Sequence, residues 1–521
     1  MEDKCEKKED IWIADQGDGT YRNPILYADY SDLDAVRVGE DYFMIASSFC
    51  NTPAIPVLHS RDLVNWKVIN YVAENIPLPG YDVPRHGCGV WAPAIRYHDG
   101  MYYVLIPFPD EGIMVSRTTD PWGTWGPLEF VIKVAGWIDP CPFWDDDGKA
   151  YMVSAFARSR VGLGSYLYLS PMKEDCSGLT GEGQFIYDGH ETQPTIEGPK
   201  LYKRNGYYYI FAPAGGVTNG WQTVLRSRSI EGPYEERIVL HQGTTAVNGP
   251  HQGAWVDTPE GENWFLHFQD AGNAGRVIHL QPMRWEEDWP VIGANRDEKG
   301  CGEPVSAWRK PDVGKVCPIE TPDADDDFRS GKLGLQWQWN ANHRKEWYAC
   351  GEGVLKLYAQ KIGAQVKLCD APNLLLQKWP APEFTISVLM LSDEWEEGDV
   401  GGLVTLGGHY SALMLEKKEG KLQLQQWSGV WNEGEETHED LEEIMGNRLH
   451  ITMTVRETKT VSYQISEDGE EYRMVGKKEE VTPGKWVGVK SGLAALHPGD
   501  GKTGVLKAAF FHYGPIGEFP L

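Results

Sequence analysis

The chain has 521 residues, of which 41% are hydrophobic and 24% are charged, and its formal net charge is −27. This composition is typical of a globular protein with two or more domains. The strong negative charge argues against binding to nucleic acid or to an anionic membrane surface, and every apolar run is shorter than the roughly 18 residues that a membrane span requires.

The nine cysteines are scattered without CxxC pairs, a pattern that favours free thiols in a reducing compartment over a disulfide framework or a zinc site. Cys88 and Cys141 fall near the candidate site described below, and we interpret both as free buried thiols. The first residues, MEDKCEKKEDIW, lack the apolar segment of a signal peptide. We therefore expect a cytoplasmic protein, with a secreted form that has lost its leader as the alternative.

One pattern occurs five times in the first 300 residues: an apolar segment, a turn with glycine, and an aromatic-rich segment. Each copy predicts a β-hairpin. A strand-based repeat of about 50 residues is typical of a propeller in which each repeat forms a four-stranded blade. The sequence thus predicts a five-bladed β-propeller over residues 20–310. Its turn glycines are Gly39, Gly100, Gly148, Gly206 and Gly261.

The rest of the chain has a different pattern. Residues 311–326 combine prolines with an acidic run and predict a linker. Beyond them, segments such as LQWQWN, LQLQQW and HITMTV alternate between polar and apolar residues, which predicts a β-sandwich over residues 327–521. The acidic stretch at residues 433–443 is expected to be a solvated loop or a short helix. The predicted fold class is all-β.

The residues just before each hairpin are the candidates for a functional site. In a propeller, the innermost strand of every blade starts at the same face of the central channel. Trp91, Asp139 and Glu197 each lie nine residues before their turn glycine, His251 lies ten before, and Asp32 seven before. Three carboxylates placed together repel one another and lose hydration, and such unfavourable arrangements tend to mark function.

Paired carboxylates suit the hydrolysis of a glycosidic bond. One gives a proton to the leaving oxygen, and the other activates a water molecule on the opposite face of the sugar. A third carboxylate near the acid would raise the pKa of that acid and keep it protonated. The 21 Trp and 24 Tyr are compatible with sugar stacking, although core packing is the commoner use of aromatic residues.

Several motifs together resemble glycoside hydrolase family 43, whose members are five-bladed propeller enzymes acting on arabinose- and xylose-containing polysaccharides. They include NPILYADYSDLDAVRVGEDYFMIASSF, GVWAPAIRYHDGMYY, WIDPCPFWDDDGKAYMV, IEGPKLYKRNGYYYIF and GRVIHLQPMRW, between about Tyr21 and Gly293. The C-terminal part resembles the concanavalin A-like sandwich of the β-xylosidase branch, which in this resemblance supplies a loop that closes one end of the active site.

The resemblance implies an exo-acting hydrolase that releases terminal β-D-xylosyl or α-L-arabinofuranosyl units from hemicellulose, such as arabinoxylan and xylo-oligosaccharides, with inversion by single displacement. It implies that Asp32 is the general base. The family motif has proline on both sides of this aspartate, whereas Ser31 and Leu33 flank it here. Asp29 and Asp34 are therefore rivals for the same role.

The resemblance further implies that Asp139 is the orienting, pKa-modulating aspartate and that Glu197 is the general acid. It assigns substrate binding to Phe49, Trp91, His251 and Arg276.

No cofactor is implied as necessary, but His251 is a candidate ligand for calcium or another ion in the propeller channel. The expected partner is an oligosaccharide or polysaccharide, and the oligomeric state is open. Two alternatives remain: a non-catalytic sugar-binding protein, and a propeller hydrolase for another glycan such as a fructan or a mannoside.

Overall fold

The computed structural model describes residues 12–363 and 365–517. The N-terminal segment used for the localisation prediction, residues 1–11, and the last four residues of the predicted sandwich lie outside these ranges. Within them, no helix is both long and apolar enough to cross a membrane. The eight cysteines of the described ranges are free thiols, among which Cys141 is buried and Cys88 is half-buried.

Five four-stranded antiparallel sheets follow one another along the chain as the blades of a propeller, which confirms the predicted fold class. After a short strand β1 (Thr20–Arg22), blade one contains β2 (Asp34–Val38), β3 (Asp41–Ile45), β4 (Ala54–Ser60) and β5 (Trp66–Ala73). Blade two contains β6 (Ala94–His98), β7 (Met101–Phe108), β8 (Gly112–Thr118) and β9 (Glu129–Ile132). Blade three contains β10 (Trp137–Trp144), β11 (Ala150–Phe156), the short helix α1 (Arg158–Val161), β12 (Tyr166–Met172) and β13 (Gln184–Asp188).

Blade four contains β14 (Lys200–Arg204), β15 (Tyr207–Ala214), β16 (Trp221–Ser227) and β17 (Glu235–His241). Blade five contains β18 (His251–Asp257), β19 (Asn263–Asp270), β20 (Arg276–Glu286) and β21 (Trp289–Ile292), with a 3-10 helix at Gly272–Ala274. All five turn glycines have φ between 64° and 86°, a left-handed conformation that glycine adopts without steric cost. Each predicted hairpin is therefore the pair of innermost strands of one blade.

The ring closes where blade one meets blade five, because β2 packs against β18. The segment before blade one runs along blade five: the Ile25 amide donates to the Ile278 carbonyl at 2.7 Å, and the Ile278 amide donates to the Leu26 carbonyl at 3.1 Å. Farther out, β1 pairs with β22 (Ala307–Arg309), which follows the last blade. This closure delivers the segment that carries Asp32 to the mouth of the channel.

Two further sheets form the C-terminal β-sandwich around a large apolar core. Its strands in chain order are β23 (Gln338–Trp339), β24 (Tyr348–Gly351), β25 (Val354–Tyr358), β26 (Gln360–Lys361), β27 (Leu375–Lys378), β28 (Phe384–Glu394), β29 (Val400–Leu406), β30 (His409–Lys418), β31 (Lys421–Val430), β32 (Glu433–Ile444), β33 (Arg448–Arg456), β34 (Thr460–Ser466), β35 (Arg473–Glu480), β36 (Lys490–His497) and β37 (Val505–Gly514). Short 3-10 helices lie at Lys345–Trp347 and Leu368–Asp370. One sheet has the order β23-β27-β36-β29-β30-β31-β32, with β26 joined to β36, and the other has the order β24-β25-β37-β28-β33-β34-β35.

The acidic stretch at residues 433–443 is part of strand β32, so the predicted loop or short helix is wrong. This strand is the edge of its sheet and pairs with β31 on one side only. Side-chain contacts with β31 stabilise this strand. The Trp427 ring stacks on His438 at 3.7 Å, and the Gln425 amide donates to Asp440 at 2.7 Å. The exposed carboxylates also discourage pairing with another chain, as charges on edge strands generally do.

The sandwich contacts the propeller in several places, two of which lie near the segments that lead to the channel mouth. Under blade one, the Thr52 amide donates to the Trp339 carbonyl at 3.1 Å, and the Thr52 hydroxyl donates to the Ala341 carbonyl at 2.6 Å. Beside the segment that carries Asp32, the Gly488 amide of the sandwich donates to Asp29 at 2.9 Å. The second contact brings a sandwich loop to the channel mouth.

Candidate active site

A cavity of about 340 Å³ opens at the channel mouth, where the innermost strands begin. It brings together six of the seven residues predicted for the site, and His251 is the exception because its ring is fully buried behind Glu197. The six predicted residues that line the cavity are Asp32, Phe49, Trp91, Asp139, Glu197 and Arg276.

Asp32 is held on both carboxylate oxygens. Oδ1 accepts a hydrogen bond from Nη1 of Arg276 at 2.7 Å, and Oδ2 accepts from the hydroxyls of Ser31 at 2.9 Å and Ser47 at 2.8 Å. A guanidinium and two hydroxyl donors all stabilise the ionised form of a carboxyl group. Asp32 is therefore a fixed carboxylate that faces the cavity.

Asp29 and Asp34, the two rivals for the role of general base, form hydrogen bonds outside the cavity. Both oxygens of Asp29 bind backbone amides, one from Arg276 at 2.9 Å and one from Gly488 at 2.9 Å. Asp34 is fully buried deeper in the channel, where Oδ2 accepts from Arg96 at 2.5 Å and from the Ile95 amide at 2.9 Å. Neither lines the cavity, and Asp29 instead fixes the backbone on either side of the site.

Asp139 is 2% exposed, and one of its oxygens, Oδ2, accepts hydrogen bonds from the Gly198 amide at 2.7 Å and from Nε2 of Gln252 at 3.3 Å. Burial raises the pKa of Asp139 to about 7, and the negative charge of Glu197 adds to this effect. Two carboxyl groups that repel one another titrate as a pair. A negative charge on Asp139 is therefore unfavourable in this cavity as long as Glu197 is ionised.

Glu197 stands at the open side of this pair, with 32% of its side chain exposed. Its Oε1 lies 2.8 Å from Nε2 of His251. The other ring nitrogen of His251, Nδ1, is buried and has no hydrogen-bond partner within the described residues. The contact between Nε2 of His251 and Oε1 therefore holds the carboxyl group of Glu197 in place.

Backbone irregularity turns these side chains toward the cavity. Asp32, Asp139 and Gln252 have φ angles of 55°, 54° and 42°, a left-handed conformation that is uncommon for residues other than glycine. The ladder between β10 and β11 shifts register between Ile138 and Cys141, and the ladder between β18 and β19 shifts between His251 and Ala254. Such β-bulges re-aim side chains, and strained backbone of this kind clusters at functional sites.

Aromatic rings form the cavity wall. Trp91 donates from Nε1 to the Gly87 carbonyl at 3.1 Å, and the guanidinium of Arg160 lies 4.9 Å from the centre of its ring. Trp486 belongs to the sandwich loop between β35 and β36, and its ring lies edge-on to Trp91 with centroids 4.9 Å apart. The sandwich thus supplies part of the wall.

The residues around His251 do not fit a calcium ion. Calcium takes six to eight oxygen ligands, whereas His251 offers one nitrogen that is already bonded to Glu197 and a second that is buried without a partner among the described residues. Within the described ranges, the group of at least three metal-type donors that the structure brings together does not include His251. No step of the chemistry below depends on an ion at this position.

Sequence reasoning missed three residues of the site. Gln252 directly follows His251. Counting back from the turn glycine Gly261 and including the residues on both sides of His251 would have found it. Ser47 lies beyond the first hairpin, and Trp486 lies in the other domain, and neither has a local signal. Trp486 is brought to the cavity by the contact between Gly488 and Asp29.

A five-bladed propeller with three carboxyl groups and aromatic walls at its channel mouth is the architecture of a glycosidase. Residues 21–290 match the family described as glycosyl hydrolases family 43, and residues 325–514 match the β-xylosidase C-terminal concanavalin A-like domain. The chain belongs to glycoside hydrolase family 43, which confirms the resemblance, and it is a glycoside hydrolase.

Similar proteins agree over almost the whole chain. A putative β-xylosidase of Xylanibacter ruminicola is 42% identical over 486 residues, covering 92% of this chain and 87% of that protein. A β-xylosidase of Formosa agariphila is 33% identical, covering 92% and 88%. A solved structure of a family 43 protein from Bacillus licheniformis superimposes with a TM-score of 0.82 at 26% identity, covering 95% of this chain and 100% of that one.

Proposed function

We propose that this protein is an exo-acting, inverting hydrolase that releases terminal β-D-xylosyl or α-L-arabinofuranosyl units from hemicellulose oligosaccharides. The observation that carries this proposal is the set of three carboxyl groups in one cavity, each in a different environment. The printed names of the relatives support the choice of sugar, since they include two β-xylosidases and a non-reducing end α-L-arabinofuranosidase from Bacteroides ovatus that is 28% identical.

Glu197 is proposed as the general acid. It lines the cavity with 32% of its side chain exposed, beside the buried Asp139 that disfavours a second negative charge, so it can present a proton to the glycosidic oxygen. As the bond between this oxygen and the anomeric carbon breaks, the proton moves from Glu197 to the leaving sugar. Nε2 of His251 keeps the carboxyl group oriented during the transfer.

Asp32 is proposed as the general base. Its ionised form is stabilised by Arg276, Ser31 and Ser47, so it can take a proton from a water molecule. It reaches the cavity beside blade one, while Glu197 comes from the start of blade four, and these blades are not neighbours in the ring. Acid and base on different sides of the sugar suit a single displacement with inversion.

Asp139 is proposed to act on Glu197 through the charge of its carboxylate rather than to contact the reacting atoms. When Glu197 has given up its proton, repulsion from Asp139 favours its return. The two donors to Oδ2, Gly198 and Gln252, fix the position of this charge. No cofactor takes part in this scheme.

Exo action on short substrates is supported by the sandwich loop that brings Trp486 to the cavity wall. Trp91 and Trp486 meet edge to face there, and aromatic rings of this kind pack against the apolar faces of sugars. We also propose a cytoplasmic location. It is expected from the cysteine pattern and is supported by the eight free thiols of the described residues. Fractionation of the source cells tests it.

The test compares xylose and arabinose release from matched aryl β-D-xylosides and aryl α-L-arabinofuranosides. The Glu197→Ala variant should lose about 10²- to 10⁴-fold in turnover on substrates with poor leaving groups and much less on activated dinitrophenyl substrates, because only the former need a proton donor. A loss that is equal for both leaving groups, or full activity of the variant, would reject Glu197 as the acid. Tight sugar binding by the wild-type protein without turnover would instead favour the sugar-binding alternative.

A further inference from the structure

A group of metal-type donors lies between the two domains, apart from the catalytic carboxylates. His86 belongs to the propeller loop between β5 and β6, and Cys369 and Asp370 belong to the 3-10 helix Leu368–Asp370 of the sandwich. One donor atom from each residue lies within 4.8 Å of the other two, and Nε2 of His86 is 3.3 Å from Oδ1 of Asp370. The thiol is fully buried, while the imidazole and the carboxylate are partly exposed.

The surrounding contacts hold these donors in place. Glu436 accepts from the Leu368 amide at 2.7 Å and from the Tyr410 hydroxyl at 2.8 Å, which fixes the start of the helix. Asn340 donates to the Cys369 carbonyl at 3.0 Å. On the propeller side, the ring of His86 lies 5.1 Å from that of Trp431, a sandwich residue between β31 and β32. The site is thus built from both domains before any ion arrives.

We propose that His86, Cys369 and Asp370 bind one divalent transition-metal ion such as Zn²⁺ and so join the propeller to the sandwich. One imidazole, one thiolate and one carboxylate are ligands that Zn²⁺ accepts, with water as the fourth ligand in an open tetrahedral site. Ligand atoms on a tetrahedral zinc ion are roughly 3.4–3.6 Å apart, so the three donors, which lie within 4.8 Å of one another, need to approach by up to about 1.4 Å. A cavity of about 40 Å³ lined by His86 and Asn340 leaves room for the water.

Binding is a ligand exchange without redox chemistry. The metal ion replaces the thiol proton of Cys369, which is released to solvent, and the ion loses hydration waters as the three protein ligands bind. The complex would be adjacent to the wall of the active site. Gly87 follows His86 directly, and its carbonyl accepts from Trp91 at 3.1 Å and from Arg160 at 3.3 Å. An ion at His86 would therefore steady the loop that positions Trp91.

Cobalt substitution tests the site in the intact protein. The full chain is stripped with a chelator, and Co²⁺ is added while the absorption spectrum is recorded. We expect one equivalent to bind with a thiolate-to-cobalt charge-transfer band in the near ultraviolet, and we expect Zn²⁺ to remove this band by displacement and to raise the melting temperature. Absence of the band at saturating Co²⁺ would overturn the proposal.

Single substitutions assign the ligands. Cys369→Ser should abolish the band, and His86→Gln and Asp370→Asn should weaken cobalt binding. Cys350→Ser is the control: it changes a partly buried thiol elsewhere in the sandwich and should leave the band unchanged. Circular dichroism shows whether each variant is folded, and the exposed Asp370→Asn substitution keeps the test decisive if Cys369→Ser misfolds. A band that survives in folded Cys369→Ser, or cobalt binding that is equally tight in Asp370→Asn, would place the ion elsewhere and refute the assignment.

Discussion

The buried carboxyl group of Asp139 costs stability whenever it is ionised, and the Asp139→Asn substitution removes this cost. The pKa of Asp139 is raised from 3.8 to about 7, mainly by burial and secondly by Glu197. In the folded protein its ionisation is therefore unfavourable, whereas in the unfolded chain it is not. Both hydrogen bonds of the carboxylate go to Oδ2, so the carbonyl oxygen of asparagine can accept them in the same place.

The size of this effect follows from the shift in pKa. A shift of about three pKa units corresponds to about 4 kcal/mol in the free energy of unfolding, and we expect a gain of about 2–4 kcal/mol for the variant. A raised pKa of a carboxyl group means that the folded state binds the extra proton. The gain should thus be complete above about pH 7, decrease as the pH falls, and disappear below about pH 4.

The assay is thermal unfolding of the wild type and Asp139→Asn at pH 8 and pH 4. The variant should melt several degrees higher at pH 8 and at the same temperature at pH 4. Asp34→Asn is the matched control, since Asp34 is equally buried but paired with Arg96, and breaking such a pair destabilises by about 3–5 kcal/mol. A stabilisation of Asp139→Asn that does not depend on pH, or a loss of stability at pH 8, would refute this reasoning.

Activity should change in the opposite direction in the same variant. Without the negative charge of Asp139, Glu197 loses the repulsion that retains its proton. The alkaline limb of the pH profile of kcat/KM should therefore move to lower pH, together with a fall in kcat. An unchanged alkaline limb would mean that the Asp139 charge does not act on the acid.

Three further substitutions test other parts of the site. Arg276→Lys shortens the side chain and loses the planar guanidinium whose Nη1 donates to both Ser31 and Asp32, and kcat/KM measurements should show a fall of about 10- to 100-fold, with an unchanged value contradicting the base assignment. At Gly198, φ is 58° and an added Cβ would lie only 2.3 Å from Oε1 of Gln252. The melting temperature and the activity of Gly198→Ala should therefore fall far more than those of Gly261→Ala, because the space around Gly261 is open. Equal effects of the two substitutions would contradict this prediction. Trp486→Ala should raise KM for xylobiose more than it lowers kcat, and steady-state kinetics with an unaltered KM would exclude the sandwich loop from substrate binding.

The sequence predicted the propeller because the repeats are local. Each hairpin combines alternating strands with a glycine turn. Strands β6 and β14 both have five residues and begin six residues before their turn glycine, which places Trp91 and Glu197 at the same offset. Asp139 lies at that offset inside the longer strand β10, whereas β2 begins five residues before Gly39 and Asp32 lies closer to its turn. These regularities exist within single segments of the chain, so a count along the sequence can find them.

The remaining features depend on contacts between distant segments. Ser47 and Gln252 become donors only when the blades assemble, and Trp486 reaches the cavity only because the sandwich docks near Asp29. The acidic strand β32 forms because β31 offers it a partner, against the low strand propensity of glutamate. Local pattern carries no information about any of these pairings.

The configuration of the first-formed sugar tests the account of Asp32 and Glu197 most directly. Proton NMR follows the anomeric signals of xylose released from xylobiose, faster than mutarotation exchanges them. With Asp32 as base and Glu197 as acid, the non-reducing β-xylosyl unit should appear first as α-xylose. Initial release of β-xylose from that unit would indicate a double displacement with retention and would contradict the roles assigned to both carboxyl groups.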